Sequence, residues 1–383
     1  MFTTDFPPAQ GGGILSHSHF LVDTLRHSNF EFCVLSEFYL QCSDSQITEY
    51  SKKEGFPIYR LPSAPNKLAL LKKICYCYRI TKRFKPDIII GSGRHPVWFA
   101  ALISFMTRIP LITIGHGTEF TQITSKYDLR INKWTYGRSN LLIAISEHTR
   151  KIVIQQGIKP ELIKVIHNPA NDRFFRIIDE EKVNEFKKQK GIENRRIILT
   201  VGSLSERKGQ RIVIESLPSI KKSIPNILYV AIGTPSLKEK FIDLAQKLNV
   251  EEHILFPGLV HEEEVLLWMN ACELFTMTSV NFNGDYEGFG IAVIEAAFCG
   301  KTSIVSDNGG LKEAVFQDET GLVVPEGNVL ETSKQIIRLL SDEKLRIQLS
   351  QSARFRALKK NTFEAKGSEV SRAITDTLKK YFK

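Results

Sequence analysis

The sequence predicts an α/β protein built from two Rossmann-like, doubly wound parallel-sheet domains that face a common cleft. Two observations carry this prediction. The chain has 383 residues, which is more than one hydrophobic core usually supports. Short apolar runs that end in Gly, Ser or Pro also alternate with longer helical segments throughout the chain, and this alternation is typical of parallel βαβ units.

The first half opens with a shortened strand, because only Met1–Thr4 precede the turn-forming residues Asp5, Pro7 and Pro8. Further apolar, β-rich runs then predict strands at Phe32–Leu35, Asp87–Ile90, Leu111–Ile114 and Leu141–Ile145. Because parallel strands need crossover helices, the longer segments between these runs are predicted to be helical.

The second half repeats the pattern. Its predicted strands are Arg196–Val201, Ile227–Ile232, His253–Phe256, Leu274–Met277 and Thr302–Val305. A strand-like run ends at Asn168-Pro169, and an acidic, polar stretch follows it. We therefore predict a first domain over 1–168, a second over 169–364, and a C-terminal helix over 365–383 that packs back toward the first domain.

The composition is that of a globular protein, with 42% hydrophobic and 25% charged residues. The longest strongly apolar run, Val97–Met106, is too short to span a bilayer. The N-terminus lacks the basic start and apolar block of a signal peptide. We therefore expect a cytoplasmic protein.

The formal charge of +10 lies mostly in the first half, and its densest part has no acidic residue. The basic residues of that stretch are Lys67, Lys72, Lys73, Arg79, Lys82, Arg83 and Lys85. They are either an ordinary solvated helix face or a patch for an anionic membrane surface or a phosphate-bearing acceptor. Nucleic acid is not expected as a partner, because no helix-turn-helix, zinc or single-strand-binding signature accompanies the charge.

A glycine-rich turn leads into an apolar, helix-like run at Glu287-Gly288-Phe289-Gly290. Backbone N–H groups at such a helix start can hold a diphosphate. Carboxylates repel phosphate, so Glu287 and Glu295 are better suited to hydroxyl groups, one on a sugar ring and the other on a ribose. The motif thus predicts a nucleotide-sugar site, although a helix start with one solvated Glu is the plainer alternative.

Ordered motifs along nearly the whole chain resemble those of glycosyltransferase family 4, the retaining enzymes of GT-B fold. The motifs are Gly12-Gly13, Gly115-His116-Gly117, Ala144-Ile145-Ser146-Glu147, Val201-Gly202 with Arg207-Lys208-Gly209, Phe256-Pro257-Gly258, Glu287-Gly288-Phe289-Gly290, Glu295-Ala296 and Gly309-Gly310 with Glu313. Each motif is weak alone, and their joint order is specific. The type indicated is that of bacterial polysaccharide and lipopolysaccharide biosynthesis.

The resemblance implies roles for residues on both domains. Gly12 and Gly13 would approach the donor phosphates, where the absence of Cβ lets backbone come close to an anion. His116 would reach the donor sugar and support the reacting carbon without a required proton transfer. Arg207 and Lys208 would neutralise the departing diphosphate. Many relatives carry Arg where this chain has Ser203, which leaves Arg207 as the substitute.

The remaining donor contacts follow from the same resemblance. Glu287 would bind hydroxyls of the donor sugar and Glu295 those of the ribose, while the segment from Gly288 through Phe289 and Gly290 to Ile291 would offer backbone N–H groups to the diphosphate. The base would rest against loops that contain Thr234 and Val260.

These roles imply a metal-independent enzyme without a cofactor, because Arg207, Lys208 and the helix start already supply positive charge. The expected reaction moves a sugar from a nucleoside-diphosphate sugar, with UDP favoured, to a hydroxyl of a glycan or lipid-linked acceptor. It would serve cell-surface polysaccharide or lipopolysaccharide assembly. The enzyme could then associate with the inner face of the membrane. Alternatives are a nucleotide-sugar epimerase on the same fold and a non-catalytic relative that binds nucleotide or membrane.

Overall fold

The structure is a computed structural model that describes residues 1–4, 6, 13–37, 44–61, 66–123 and 125–382, without the side chains of residues 44, 46 and 47. It contains two compact units. The first comprises Met1–Pro169 and Phe363–Lys383, and the second comprises Ala170–Thr362. None of the described helices combines the length and the apolar character needed to cross a lipid bilayer.

The first unit has a seven-stranded parallel sheet in the order β3-β2-β1-β4-β5-β6-β7. Its strands are β1 (Phe2–Thr3), β2 (Val34–Glu37), β3 (Ile58–Leu61), β4 (Ile89–Ser92), β5 (Leu111–Gly115), β6 (Leu141–Ala144) and β7 (Ile163–Val165). The helices between them are α1 (Gly13–His27), α2 (Asp44–Lys53), α3 (Lys67–Phe84), α4 (Arg94–Thr107), α5 (Thr118–Thr121), α6 (Lys126–Gly137) and α7 (Glu147–Gln155).

The second unit has a six-stranded parallel sheet in the order β10-β9-β8-β11-β12-β13. Its strands are β8 (Arg196–Val201), β9 (Ile227–Ile232), β10 (Ile254–Gly258), β11 (Leu274–Met277), β12 (Ser303–Ser306) and β13 (Gly321–Val324). Its helices are α8 (Glu180–Gln189), α9 (Gln210–Ser223), α10 (Lys238–Lys247), α11 (Glu262–Ala271), α12 (Ile291–Phe298), α13 (Leu311–Ala314), α14 (Val329–Ser341) and α15 (Glu343–Lys360). The last helix of the chain, α16 (Phe363–Tyr381), packs on α1 in the first unit.

The short opening strand is a full member of the first sheet. Phe2 and Thr3 pair with β2 on one side and with β4 on the other. The Met1 ammonium donates to the carbonyl of Cys33 at 2.9 Å. The apolar runs form strands because helices cover both faces of a parallel sheet, so β-branched side chains are buried on either side.

Each sheet has one topological switch point, where the order of the strands along the sheet reverses relative to their order in the sequence. In the first unit this point lies between β1 and β4, and in the second it lies between β8 and β11. Open α/β sheets bind ligands outside the carboxyl ends of their strands at such a switch point. The loops that follow these four strands therefore position the candidate sites.

Candidate functional site

Two loops meet at the switch point of the second unit because glycine allows them to touch. Gly209, with φ +72°, would place a Cβ atom 1.8 Å from the carbonyl oxygen of Thr278. The Thr278 hydroxyl donates to the Gly209 carbonyl at 2.8 Å, and the Val280 N–H donates to the Arg207 carbonyl at 2.8 Å. The loop after β8 is therefore fixed against the residues that follow β11.

This contact brings the two cations of the first loop to carboxylates of the second. Arg207 Nη1 and Lys208 Nζ each lie 2.6 Å from Oε2 of Glu287. Arg207 Nε lies 3.2 Å from Oδ2 of Asp285. The Glu287 residue is only 9% exposed. Burial alone would raise the pKa of Glu287, but the charges of Lys208 and Arg207 lower it to about 2. The site is thus an ion cluster in which Glu287 stays charged.

The backbone of Glu287 is held by a second set of contacts. Its N–H donates to Asn308 Oδ1 at 3.0 Å, and its carbonyl accepts the Gly310 N–H at 2.8 Å. Asn308 Nδ2 in turn donates to Glu326 Oε2 at 2.9 Å. A Cβ atom on Gly309 would lie 2.2 Å from the Glu287 carbonyl oxygen. Sequence reasoning noted the paired glycines but missed Asn308, which directly precedes them.

The helix α12 begins directly after this loop, with Gly290 as its N-cap at φ +87° and no capping side chain. A Cβ atom at Gly290 would lie 2.5 Å from Leu311 Cδ2. Phe289 is 2% exposed and anchors the turn in the core, whereas Gly288 and Ile291 are half-buried. Because the first turn of a helix leaves N–H groups without intrahelical acceptors, this end can receive an anion.

Glu295 lies one turn inside α12 and is half-buried, and none of the hydrogen bonds and ion pairs of the described residues joins it to the cation cluster. Burial raises the pKa of the Glu295 carboxyl to about 7, and the charge of Arg173 only partly opposes this. Near neutral pH, this carboxyl can therefore exchange a proton when a hydroxyl-bearing ligand approaches.

The remaining candidate donor-binding residues follow β8, β9 and β10. Ser203 is half-buried after β8, and its carbonyl accepts from Gln210 Nε2 at 2.9 Å. Thr234 is exposed after β9 and Val260 is half-buried after β10. These three lie at the same edge of the sheet as Arg207, but no direct contact joins Thr234 or Val260 to it in the described hydrogen bonds and ion pairs.

In the first unit, His116 follows β5 and is 6% exposed. Its Nε2 lies 2.9 Å from the hydroxyl of Ser92, at the end of β4, so Nδ1 is the nitrogen through which the ring would meet a ligand. His17, on α1, packs edge-to-face on His116 with ring centroids 5.0 Å apart. Burial lowers the pKa of His116 to about 4 and that of His17 well below its usual value. Both rings are therefore neutral at pH 7.

Glu119 supports the His116 loop from behind. Its Oε1 accepts the His116 N–H at 2.6 Å, and Gly117 adopts φ +109° in the turn between them. Burial raises the pKa of Glu119 to about 7, although neighbouring backbone N–H groups oppose that shift. The family resemblance pointed to His116, but His17 and Glu119 belong to none of its motifs and were missed.

The glycine pair near the N-terminus is only partly visible. Gly12 lies outside the described residues. Gly13 is the first residue of α1, is exposed, and has no neighbouring heavy atom within 4 Å of the position a Cβ atom would take.

The basic helix is α3, and the structure corrects its predicted membership. Lys72, Arg79, Lys82 and Arg83 are exposed. Lys73 is instead 5% exposed, with Nζ 2.9 Å from Glu37 Oε1 and 4.8 Å from the ring centroid of Phe99. The prediction that Lys73 belongs to an exposed patch was wrong, because this position faces the core side of the helix and its charge is neutralised there.

Comparison with known families agrees with this arrangement. The family model described as Glycosyltransferase Family 4 matches residues 11–174, and that described as Glycosyl transferases group 1 matches residues 182–356. The two matches together span most of both units. The chain belongs to glycosyltransferase family 4.

Two relatives of this family 4 glycosyltransferase each match three quarters or more of its length. It is 24% identical to the GDP-mannose-dependent alpha-(1-6)-phosphatidylinositol monomannoside mannosyltransferase of Mycolicibacterium smegmatis, covering 98% of this chain and 97% of that protein. It is 26% identical to the N,N'-diacetylbacillosaminyl-diphospho-undecaprenol alpha-1,3-N-acetylgalactosaminyltransferase of Campylobacter jejuni, covering 75% of this chain and 77% of that protein.

Solved structures establish the fold. The crystal structure of Anabaena HepE in complex with UDP and glucose superposes with a TM-score of 0.81 at 20% identity, covering 98% of this chain and 100% of that chain. The structure of WaaG, a glycosyltransferase involved in lipopolysaccharide biosynthesis, gives 0.72 at 17% identity, covering 98% of both chains. The predicted GT-B fold, with two Rossmann-like parallel-sheet domains, is confirmed.

Proposed function

We propose that this family 4 glycosyltransferase is a retaining, metal-independent enzyme that moves a glycosyl group from a UDP-sugar to a hydroxyl of a glycan or lipid-linked acceptor. The observation that carries this proposal is the convergence of Arg207, Lys208 and Glu287 beside the start of α12, at the switch point of the second sheet. Two cations next to unpaired helix N–H groups form a site for a diphosphate, and the carboxylate supplies an acceptor for sugar hydroxyls.

The donor binds in this proposal by replacing one anion with another. Glu287 Oε2 accepts hydrogen bonds from both Arg207 and Lys208. A diphosphate would take over Arg207 and Lys208, and Glu287 would turn to hydroxyls of the donor sugar. Glu295 would accept from the ribose, and the Gly288 to Ile291 segment would donate backbone N–H groups. The loops of Thr234 and Val260 would contact the base.

The chemistry then requires stabilisation of charge on the leaving group. As the bond between the anomeric carbon and the diphosphate oxygen breaks, negative charge grows on that oxygen, beside Arg207 and Lys208. One preorganised donor at such a position lowers a barrier by about 3 kcal/mol. These fixed cations supply the positive charge that a divalent ion supplies in other enzymes, which is the basis for proposing metal independence.

Retention follows from the side of attack. The acceptor oxygen forms its bond to the anomeric carbon on the face that the diphosphate leaves, and the departing phosphate oxygen takes the acceptor's proton. A double displacement needs a free carboxylate nucleophile. Glu287 is poorly suited to that role, because two cations hold its charge and lower its pKa to about 2. In the first unit, we propose that neutral His116 binds a sugar hydroxyl through Nδ1, with Gly12 and Gly13 near the donor phosphates.

The acceptor class is proposed from the relatives and from α3. Two relatives are named for phosphatidylinositol mannoside and diphospho-undecaprenol acceptors. On α3, Leu68 and Leu71 are 64% and 59% exposed beside the basic residues Lys72, Arg79, Lys82 and Arg83. Such a face suits an anionic membrane surface, which would place the enzyme on the inner face of the membrane in polysaccharide or lipopolysaccharide assembly.

The donor proposal is tested by binding and turnover with UDP-, GDP- and ADP-glucose, measured by calorimetry and by release of nucleoside diphosphate. We expect UDP to bind most tightly, turnover to survive EDTA, and proton NMR of the product to show the donor's anomeric configuration. Tighter binding of GDP would overturn the choice of base. Loss of turnover in EDTA or an inverted product would overturn the mechanism.

Two rivals are separated by one control. An epimerase would convert the nucleotide sugar with no acceptor present, whereas a transferase leaves its sugar configuration unchanged and only hydrolyses it slowly. A non-catalytic relative would bind UDP without turnover under any acceptor tested.

The α3 surface has its own test. Replacing Lys72, Arg79, Lys82 and Arg83 with Gln should reduce sedimentation with phosphatidylglycerol vesicles at low salt. Neutralising exposed lysines of the second unit, such as Lys188 and Lys222, provides the matched control. Equal losses in both variants would indicate net charge alone and would remove α3 from the proposal.

A further inference from the structure

A second exposed surface of the first unit combines aromatic and basic side chains, and neither the donor site nor α3 includes it. It is formed by the ends of α4, α6 and α16, and we name it the end surface. Its apolar members are Phe105, Met106, Trp134, Tyr381 and Phe382, with exposures of 55%, 47%, 41%, 42% and 66%.

Side-chain contacts make this surface continuous. Phe105 and Trp134 meet edge-to-face with ring centroids 6.2 Å apart. The Arg138 guanidinium lies 4.7 Å from the centroid of Phe105 and 5.5 Å from that of Trp134. The hydroxyl of Tyr381 donates to the carbonyl of Arg108, so the C-terminal helix reaches the end of α4. One patch therefore joins three helices that are distant in sequence.

The surface lies away from the edge that carries His116. Helices of parallel βαβ units run against their strands, so the carboxyl ends of α4 and α6 lie at the amino edge of the sheet. His116 and Ser92 follow β5 and β4 at the opposite, carboxyl edge. A substrate-binding role for the end surface is therefore disfavoured, and a docking role that leaves the other edge open is favoured.

The charge of this surface selects the occupant. Arg138 lies over the rings of Phe105 and Trp134, and Arg108, Lys133 and Lys380 are exposed at the same ends of α4, α6 and α16. The exposed acids of this edge are fewer, with Asp376 on α16 and Asp87 just before β4. A second copy of the chain would oppose basic groups to basic groups, which is unfavourable. Trp and Tyr beside Lys and Arg match a lipid interface, where rings enter the headgroup level and cations meet anionic lipids.

We infer that the end surface docks the first unit onto an anionic lipid bilayer, with Phe105, Trp134 and Phe382 entering the interface. This contact is additional to that proposed for α3, and it differs in its physical basis. Charge attraction falls steeply with salt, whereas transfer of aromatic side chains out of water does not. Binding through the end surface should therefore persist in part at high salt.

Tryptophan fluorescence reports this contact directly. Trp268 is buried and Trp98 is half-buried with Nε1 bonded to Asn132, so Trp134 is the exposed indole of the three. With vesicles of phosphatidylglycerol and phosphatidylcholine, we expect a blue shift and quenching by brominated lipid. Trp134→Phe should remove both signals and keep most vesicle binding.

The variant Phe105→Ser/Trp134→Ser/Phe382→Ser should lose at least about tenfold in vesicle affinity at high salt, since each buried aromatic contributes more than 1 kcal/mol. The control Leu330→Ser/Phe355→Ser removes side chains of the second unit that are 76% and 69% exposed, and it should bind as the parent does. Thermal unfolding should be near the parent's in both variants.

Three results would overturn the inference: no blue shift with anionic vesicles, equal vesicle binding by the triple variant, or a parent dimer that the triple variant converts to monomer. The last would identify a second copy as the occupant. UDP binding and donor hydrolysis serve as separate readouts, so failure of docking is distinguishable from failure of the proposed glycosyl transfer.

Discussion

The two candidate sites of this protein differ in how they treat charge. In the first unit, His116 and His17 are buried as neutral rings, and the nearest carboxyl, Glu119, has a pKa raised to about 7. In the second unit, Arg207, Lys208 and Glu287 are retained as ions in direct contact. The comparison teaches that the second unit keeps buried charges by pairing them, while the first unit keeps its buried histidines as uncharged hydrogen-bonding groups.

The difference has a physical cause in the partners each site provides. A buried charge persists only when an opposite charge or several hydrogen bonds compensate its lost hydration. Glu287 has two cations within 2.6 Å, whereas His116 has a hydroxyl and another imidazole as neighbours. Each site therefore keeps the protonation state that its own neighbours allow.

The strongest test of the contrast between the two sites is the removal of Lys208, the cation proposed to stabilise the leaving diphosphate. Lys208→Ala should reduce kcat/KM for the donor by about 100-fold to 1,000-fold, because it removes a fixed cation beside the developing negative charge. The matched control is Arg211→Ala, which removes an exposed cation of α9 that pairs with Glu215. Steady-state kinetics and thermal unfolding are measured together, and normal turnover by the Lys208 variant would remove the mechanism.

Glu287→Gln tests the same contrast, because it removes the charge that pairs with Arg207 and Lys208 and keeps the size and shape of the side chain. The rate of glycosyl transfer should fall by about 10-fold to 100-fold, because the charged carboxylate that accepts hydrogen bonds from the donor-sugar hydroxyls is lost. Free UDP should bind several-fold more tightly, because the diphosphate no longer displaces a carboxylate. Calorimetry with UDP separates the two effects. Weaker UDP binding by this variant would show that Glu287 supports the nucleotide rather than competing with it.

His116→Asn tests the neutral site. We expect kcat to fall by about tenfold to 100-fold, since one hydroxyl contact is lost. The folded-state pKa of His116 is about 4, so the wild-type ring stays neutral from pH 6 to 8 and should impose no titration on kcat there. His95→Asn, an exposed histidine of α4, is the control. A step in kcat near pH 6.5 that the Asn variant abolishes would contradict the assignment.

The smallest expected effect concerns Glu295. Its folded-state pKa of about 7 lies above the ordinary value of 4.5, so the folded protein holds this proton more tightly than the unfolded chain does. Stability should therefore fall as pH rises from 4.5 to 7, by about 3 kcal/mol from this group. Urea unfolding at pH 5 and pH 8 should show a shallower loss for Glu295→Gln. Equal slopes for both proteins would exclude a raised pKa.

The sequence was sufficient for the fold where apolar runs ended in turn residues. Arg196–Val201, Ile227–Ile232 and Leu274–Met277 were predicted with the bounds that the structure gives. Strands β3 and β13 were not predicted. Arg60 interrupts the apolar run of β3, which is mostly half-buried, and β13 offers only three apolar residues after Gly321, so neither gives a continuous apolar signal.

The contacts within the sites could not be predicted, because they join positions far apart in the chain. Arg207 and Glu287 are separated by 80 residues. The sequence therefore predicted a ligand for each residue, but it did not predict that the two side chains contact each other. The same limit explains why the ion pair of Lys73 was not predicted. Its place beside buried Cys77 and Ile80 on one face of α3 was readable from helical periodicity, but its partner Glu37 lies 36 positions away.

The close approach at Gly209 has a consequence for engineering donor preference. Any side chain there would collide with the Thr278 carbonyl, so a library that randomises this position should yield active clones only where glycine is retained. Thr234 is exposed and, under the proposed function, is the better target for changing nucleotide choice, provided that the adjacent Gly233 is kept, because a Cβ atom there would lie 2.2 Å from the Gly202 carbonyl oxygen. Nucleotide selectivity can thus be redesigned at exposed loop positions while the contact between the Gly209 and Thr278 loops is left unchanged.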